Sequence, residues 1–149
     1  MKNEIIVALV EKGVGTTTSL TLDSKDAYVH YKFKKWLDKT YSSIVESQRE
    51  LLKEIGIEDT GAFVKRIQEL MSNESRTKEE EEELNEKIAL DNKAGERLRA
   101  ILSEDSEQFV GKKLSYDAWH KLMKENECLA SADIEYQLEG VLWEEKEDE

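Results

Sequence analysis

The chain has 149 residues, 38% of them charged, with 34 acids against 22 basic residues and a net charge of -12. A chain of this size is one domain by the usual measure, and its charge repels phosphate backbones and anionic membrane surfaces. A direct nucleic-acid or membrane partner is therefore excluded as the default; the single cysteine, Cys128, excludes an internal disulfide, and no apolar run approaches a membrane span.

The first residues carry one lysine and a short apolar run, but Glu4 and Glu11 flank that run and no small-residue cleavage pattern follows, so a signal peptide is not read there. The chain reads as cytoplasmic. Ile5, Ile6, Val7 and Val10 are β-prone, as is 16–21, with Gly13 and Gly15 between them; propensity alone proposes a hairpin. The rival is a short helix capped by Asn3, burying Ile6, Leu9 and Val10 and ending at Gly13. The helix is preferred, for the reason given with the resemblance below.

The stretch 23–56 organises the rest. Asp23 caps its start and Asp26 places a second carboxylate in the first turn, where the helix dipole favours it. Apolar residues then recur at helical spacing through Val29, Phe33, Trp36, Leu37, Tyr41, Ile44, Val45, Leu51, Leu52 and Ile55, with Gln48 interrupting. Gly56 followed by Ile57 has the form of a Schellman ending. The expected fold class is mainly α: an elongated helical hairpin or bundle around this one long helix, with a minor β element near 16–22 and 108–114 left open. The domain reading is a single helical domain over 1–143 and an acidic, fraying tail over 144–149.

Asp59 or Thr60 caps a short helix expected to bury Phe63, Ile67, Leu70 and Met71 and to end near Ser72. Thr77-Lys78-Glu79-Glu80 then has the form of a capping box, followed by five consecutive glutamates over 79–83 that read as a solvated face. Leu84, Ile88, Leu98, Ile101 and Leu102 continue an apolar stripe, weakened by Asp91, Asn92 and Gly95, where a break or bend is left open. Antiparallel packing of this helix on the long one gives a coiled-coil-like hairpin. Ser115 caps the next helix, with Leu114 and Trp119 placed as a hydrophobic staple, and Trp119, Leu122 and Met123 inward. Ser131 opens the last, with Ile134, Leu138, Val141 and Leu142 on one face.

The order of elements resembles a family at this point. Glu4-Ile5-Ile6-Val7-Ala8-Leu9, a turn, the Lys-bearing helix through Lys32, Lys34, Lys35 and Leu37 to Leu51-Leu52-Lys53-Glu54-Ile55-Gly56, then Leu114-Ser115-Tyr116-Asp117 and Leu129-Ala130-Ser131-Ala132-Asp133-Ile134 resemble small proteins of unknown function from tailed phages and prophages. The similarity covers the two ends; 63–107 departs from it by carrying extra helical sequence. It implies a mainly helical protein whose opening segment is helical, and it carries over no catalytic residue.

Candidates for chemistry are His30, His120 and Cys128, and no two of them lie at metal-ligand spacing within one element. A cysteine nucleophile needs a neighbouring histidine, which the sequence does not place. Gly13 and Gly15 lack the Gly-Lys-Ser/Thr of a phosphate loop. No catalytic residue, cofactor or metal is assigned. Charge is segregated: 25–39 holds five lysines against Asp26 and Asp38, interleaved with Tyr28, Tyr31, Phe33 and Trp36. Such a mixture binds single strands by stacking, but the favoured reading makes the aromatics a core face covered by lysine stems. The expected role is a non-enzymatic, phage-related accessory protein acting through a protein partner or a homo-oligomer, with exposed apolar surface near Trp36 or Trp143. The alternatives are an acidic decoy imitating DNA and a metal- or thiol-dependent enzyme.

Overall fold

A computed structural model describes residues 1–145, so 146–149 of the expected tail lie outside the described residues. Six α-helices occur among the described residues: α1 (Asn3–Glu11), α2 (Ser24–Ile55), α3 (Thr60–Ser72), α4 (Lys78–Ser103), α5 (Tyr116–Glu125) and α6 (Ala132–Leu138). The fold is mainly α, with the long helix at its expected place. Two compact units divide the chain, one made of Met1–Ser43 with Asp105–Glu149 and the other of Ile44–Glu104, and α2 supplies residues to both.

In the first unit the opening segment is helix and not hairpin. Its N-terminus corrects the expected Asn3 cap. Lys2 is the extended residue before the helix and gives no side-chain cap, while Asn3 is buried in the first turn and accepts from the Ser106 hydroxyl. The backbone there is held from across the unit: the Met1 ammonium donates to Ser106 O at 3.2 Å and Ser106 N–H donates back to Met1 O at 3.0 Å. Ile6 and Leu9 are fully buried, and α1 ends at Glu11, capped by Lys12 and followed by Gly13, whose φ of 89° is a left-handed value natural to glycine.

Asp23 caps α2 by accepting from Asp26 N–H at 2.8 Å. Within this unit α2 buries Val29, His30, Phe33 and Leu37, joined in the core by Leu114, Trp119, Leu122, Leu129, Ile134, Leu138, Leu142 and Trp143. Each such large apolar side chain contributes about 1.5–3 kcal/mol on full burial. Ser115 caps α5 by accepting from Ala118 N–H, and the proposed staple residues Leu114 and Trp119 are both fully buried.

Two expectations are corrected in this unit. No strand forms over 16–22 or 108–114 among the described residues; the first is a 3-10 turn (Val14–Thr16) and a loop, because its polar backbone groups are taken by side chains of α5 described below. The second makes a single parallel bridge at Leu114 with Trp143. α6 was expected to run on through Val141 and Leu142, but it stops at Leu138. Gly140, at φ 78°, turns the chain so that its N–H donates to Trp143 O at 2.7 Å, and Leu114 N–H then takes Leu142 O at 2.7 Å. Glu144, placed at the start of the fraying tail by the sequence, donates its N–H to Leu114 O and pairs with Lys113 at 3.5 Å.

In the second unit α2 closes with the full Schellman pair: Ile57 N–H to Leu52 O at 2.8 Å and Gly56 N–H to Lys53 O at 3.1 Å. Asp59 caps α3, whose Leu70 is buried and whose Phe63 and Ile67 are half-buried. Met71, expected inward, is exposed at 61%; it sits about 80° around the helix from Phe63, at the margin of the face. Thr77 and Glu80 make the capping box in both directions. α4 is continuous through 91–95, and the small Ala94 is the buried residue there. Ile88 is exposed at 38% while Leu90 is half-buried, so the inward stripe runs Leu84, Leu90, Ala94, Leu98.

α3 and α4 run antiparallel against each other, since Arg66 meets Glu83 while Phe63 meets Lys87. Arg66 grips Glu83 with two hydrogen bonds of 2.9 Å. That bond raises the guanidinium's pKa and holds the Glu83 carboxyl below its ordinary range. Of the five-glutamate run, Glu81 also pairs with Arg76 at 2.7 Å, and Glu80 bonds the Thr77 backbone and Asn73.

Candidate functional site

His30 and Cys128 each touch the segment after α1, at Thr17 and at Gly13 respectively. The Thr17 hydroxyl donates to Val14 O at 2.8 Å, which uses its one proton, so at 2.8 Å from His30 Nε2 it is the acceptor and the ring carries its proton on Nε2. Burial, and then the Lys34 ammonium, pushes this imidazole down from about 6.5 to about 4, against a smaller pull from Glu125. His30 is therefore neutral at neutral pH and holds the loop. Cys128 is half-buried, its Sγ 3.8 Å from Gly13 O, and burial pushes its thiol up, the opposite of an activated nucleophile.

His120 is packed edge-on against Tyr116, with ring centroids 5.2 Å apart, and its Nδ1 is buried without a hydrogen-bond partner among the described residues. Among the described residues no group of three or more His, Cys, Asp or Glu side chains is arranged to hold a metal ion. No helix among them is long and apolar enough to cross a membrane.

The loop 17–21 is latched by the end of α5. Glu125 accepts from the N–H groups of Leu20 and Thr21 and from the hydroxyls of Thr18 and Thr21. Burial raises this carboxyl, but the four donors outweigh burial and hold it below the ordinary range. Asn126 trades bonds with Thr18 in both directions, 2.8 Å from the Thr18 N–H and 2.7 Å to its carbonyl, and Lys34 Nζ reaches Thr17 O at 2.7 Å. The sequence reads 16–21 only as β-prone, and nothing in it pairs that stretch with Glu125 and Asn126 more than 100 residues away. The latch fixes the loop to the end of α5.

An exposed aromatic and basic face lies on α2, away from its buried stripe. Phe33 is fully buried and Trp36 is half-buried, its indole N–H on Glu107 O at 3.1 Å. Tyr28 and Tyr31, read from the sequence as part of the same core face, are instead exposed at 56% and 54%. Their rings stack 6.4 Å apart, with Lys32 Nζ 5.0 Å over Tyr28 and Lys35 Nζ 5.6 Å over Tyr31. Helical geometry explains the split. Val29, Phe33 and Leu37 recur every four residues on one side, and Tyr28 and Tyr31 fall outside that stripe. Trp143, the other expected exposed aromatic, is buried and stacked on Trp119 at 5.8 Å and 10°.

Tyr28 lines a cleft of about 360 Å³ together with Lys25, Val29, Lys32, Phe109, Gly111 and Lys112. Phe109 closes its inner wall, set edge-on to Phe33 at 5.7 Å and tilted on Trp36 at 6.0 Å. Gly111 leaves room for that ring, since a Cβ there would stand 3.1 Å from Phe109 Cζ. The residues 109–112 were the ones missed: Phe109, Val110 and Leu114, divided by Gly111, read as a short extended piece, and only the position of Phe109 on α2 shows them as a wall. A larger concavity of about 570 Å³ in the second unit, lined by Val45, Arg49, Leu52 and Glu58 among others, is more open and gathers no aromatic side chain.

Comparison of the chain with protein-family models, with curated proteins and with solved structures finds no match in any of the three.

Proposed function

We propose that the chain is a non-enzymatic accessory protein of a phage or prophage setting that works by holding another protein against the outer face of α2. The observation that carries this reading is the stacked, exposed Tyr28–Tyr31 pair under Lys32 and Lys35. Rigid aromatics backed by a packed core lose little freedom on binding and are the residue types that anchor protein contacts. The setting rests on the resemblance of the two ends of the chain to small phage proteins. The enzymatic reading draws no support from a neutral, hydrogen-bonded His30 and a thiol pushed up by burial. The acidic-decoy reading loses support because Glu80, Glu81 and Glu83 of the densest acidic run are engaged by Asn73, Thr77, Arg76 and Arg66.

A photo-crosslinking side chain placed at Tyr31, with the more exposed Tyr136 as a control, tests the reading in the cell that makes the protein. One discrete partner captured from position 31 and not from 136 is the expected result. Equal yields from both positions, or none from 31, overturn it. Flanking genes that encode no phage proteins overturn the setting alone.

A further inference from the structure

We propose that the cleft between Tyr28 and Phe109 receives a short acidic peptide segment carrying one large apolar side chain. This rests on the proposed protein-binding role and names the chemistry of the partner. Three lysines, Lys25, Lys32 and Lys112, stand around the cleft on a chain whose net charge is -12. Their ammonium groups carry no ion pair among the described residues; Lys32 lies over the Tyr28 ring. Lys113, next along the wall, is already committed to Glu144 at 3.5 Å. The floor is apolar, made by the Tyr28 and Phe109 rings.

The length of the basic stretch decides between acidic partners. Beyond Lys25 and Lys112 the concave surface adds Lys113 but also Asp26 and Glu144, and along α2 Lys34 and Lys35 are followed by Asp38, so the lysines around the cleft are interrupted by carboxylates on either side. A nucleic-acid strand presents a charge at every step and gains affinity by neutralising many of them; past the cleft it meets the Asp26 and Glu144 carboxylates set among the lysines. A peptide places a few carboxylates against the three ammonium groups and nothing beyond. Its apolar side chain enters over the Phe109 ring, which the missing Cβ of Gly111 allows to lie where it does.

The test uses the full chain and two labelled probes: a short glutamate-rich peptide with one central leucine, and the same peptide with glycine at that place. Oligothymidylate is the third probe. The leucine peptide binds saturably and roughly tenfold more tightly than the glycine peptide, a factor ordinary for burying one apolar side chain. Lys25→Glu with Lys112→Glu weakens it by about tenfold or more at low salt, with the circular dichroism unchanged. Gly111→Ala, which crowds the Phe109 ring, narrows the gap between the two peptides. Equal binding of both peptides, unchanged binding after charge reversal, or tighter binding of oligothymidylate overturns the proposal. A crosslinked partner whose contact segment is not acidic overturns it too and leaves the protein-binding role standing.

Discussion

The two compact units are built from equally well-signalled helices and differ in what holds them. The first buries about a dozen large side chains to near-zero exposure, among them Phe33, Leu37, Trp119, Leu122 and Leu138. The second has only Ile44, Ile57, Leu70, Leu84 and Ala94 below the surface, and relies on caps and on ion pairs such as Arg66–Glu83. Those pairs are solvent-exposed and contribute little each. The contrast separates two properties that a periodic sequence runs together. Amphipathic spacing decides that a segment is a helix; the number and size of side chains that meet decide how firmly it is held.

The sharpest way to break the contrast is to remove one large side chain from each unit. Trp119→Ala should cost about 4 kcal/mol, read as a fall in the urea midpoint and as lost hydrogen-exchange protection across α1, α5 and α6. Leu70→Ala should cost about 2 kcal/mol and loosen the amides of α3 and α4 while leaving those of α5 protected. Equal loss of protection everywhere in both variants would mean that the units open together.

Acid should sharpen the contrast, because the perturbed histidine belongs to the first unit. His30 binds its proton near pH 4 when folded and near 6.5 when unfolded, so as pH falls through that window the unfolded chain is protonated first and stability declines. Above about 6.5 the effect is absent; by pH 4 it amounts to roughly 3 kcal/mol. Glu125, held below its ordinary range, adds a loss at lower pH, as its folded carboxyl is protonated and releases the loop. Urea midpoints at pH 7 and pH 4.5 measure the first effect, and in His30→Asn the slope between them should flatten.

The smallest effect expected is at the end of α2. Gly56 has φ 100° with open space around its Cα, so Gly56→Ala meets no neighbour and should cost about 1 kcal/mol through backbone strain alone. A cost above that of Leu70→Ala would reverse the ranking of core over cap in the second unit.

Helix starts and stops were the most legible part of the fold, because each is a local contest for a few backbone groups. Asp23, Asp59, the Thr77–Glu80 box, Ser115 and the Gly56–Ile57 ending can be read over about four residues apiece. The less legible features depend on distance along the chain. Nothing near Glu125 says that its partners are Leu20 and Thr21, and nothing near Leu138 says that Leu114 will claim the backbone of Leu142 and end α6 early. The candidate face was half legible. Interleaved lysines and aromatics marked 25–39, but which aromatics turn outward depended on where the core of the first unit sits, and Phe109 and Gly111 entered from a segment that reads as a strand.

The placement of the indoles has an optical corollary. Trp36, Trp119 and Trp143 all belong to the first unit, and 44–104 contains neither tryptophan nor tyrosine. Intrinsic fluorescence is therefore blind to the second unit, whereas far-ultraviolet ellipticity, fed by α3, α4 and the end of α2, sees it fully. Superimposable melting curves by the two methods mean one cooperative transition; an ellipticity loss that precedes the emission change dates the second unit's unfolding without any label.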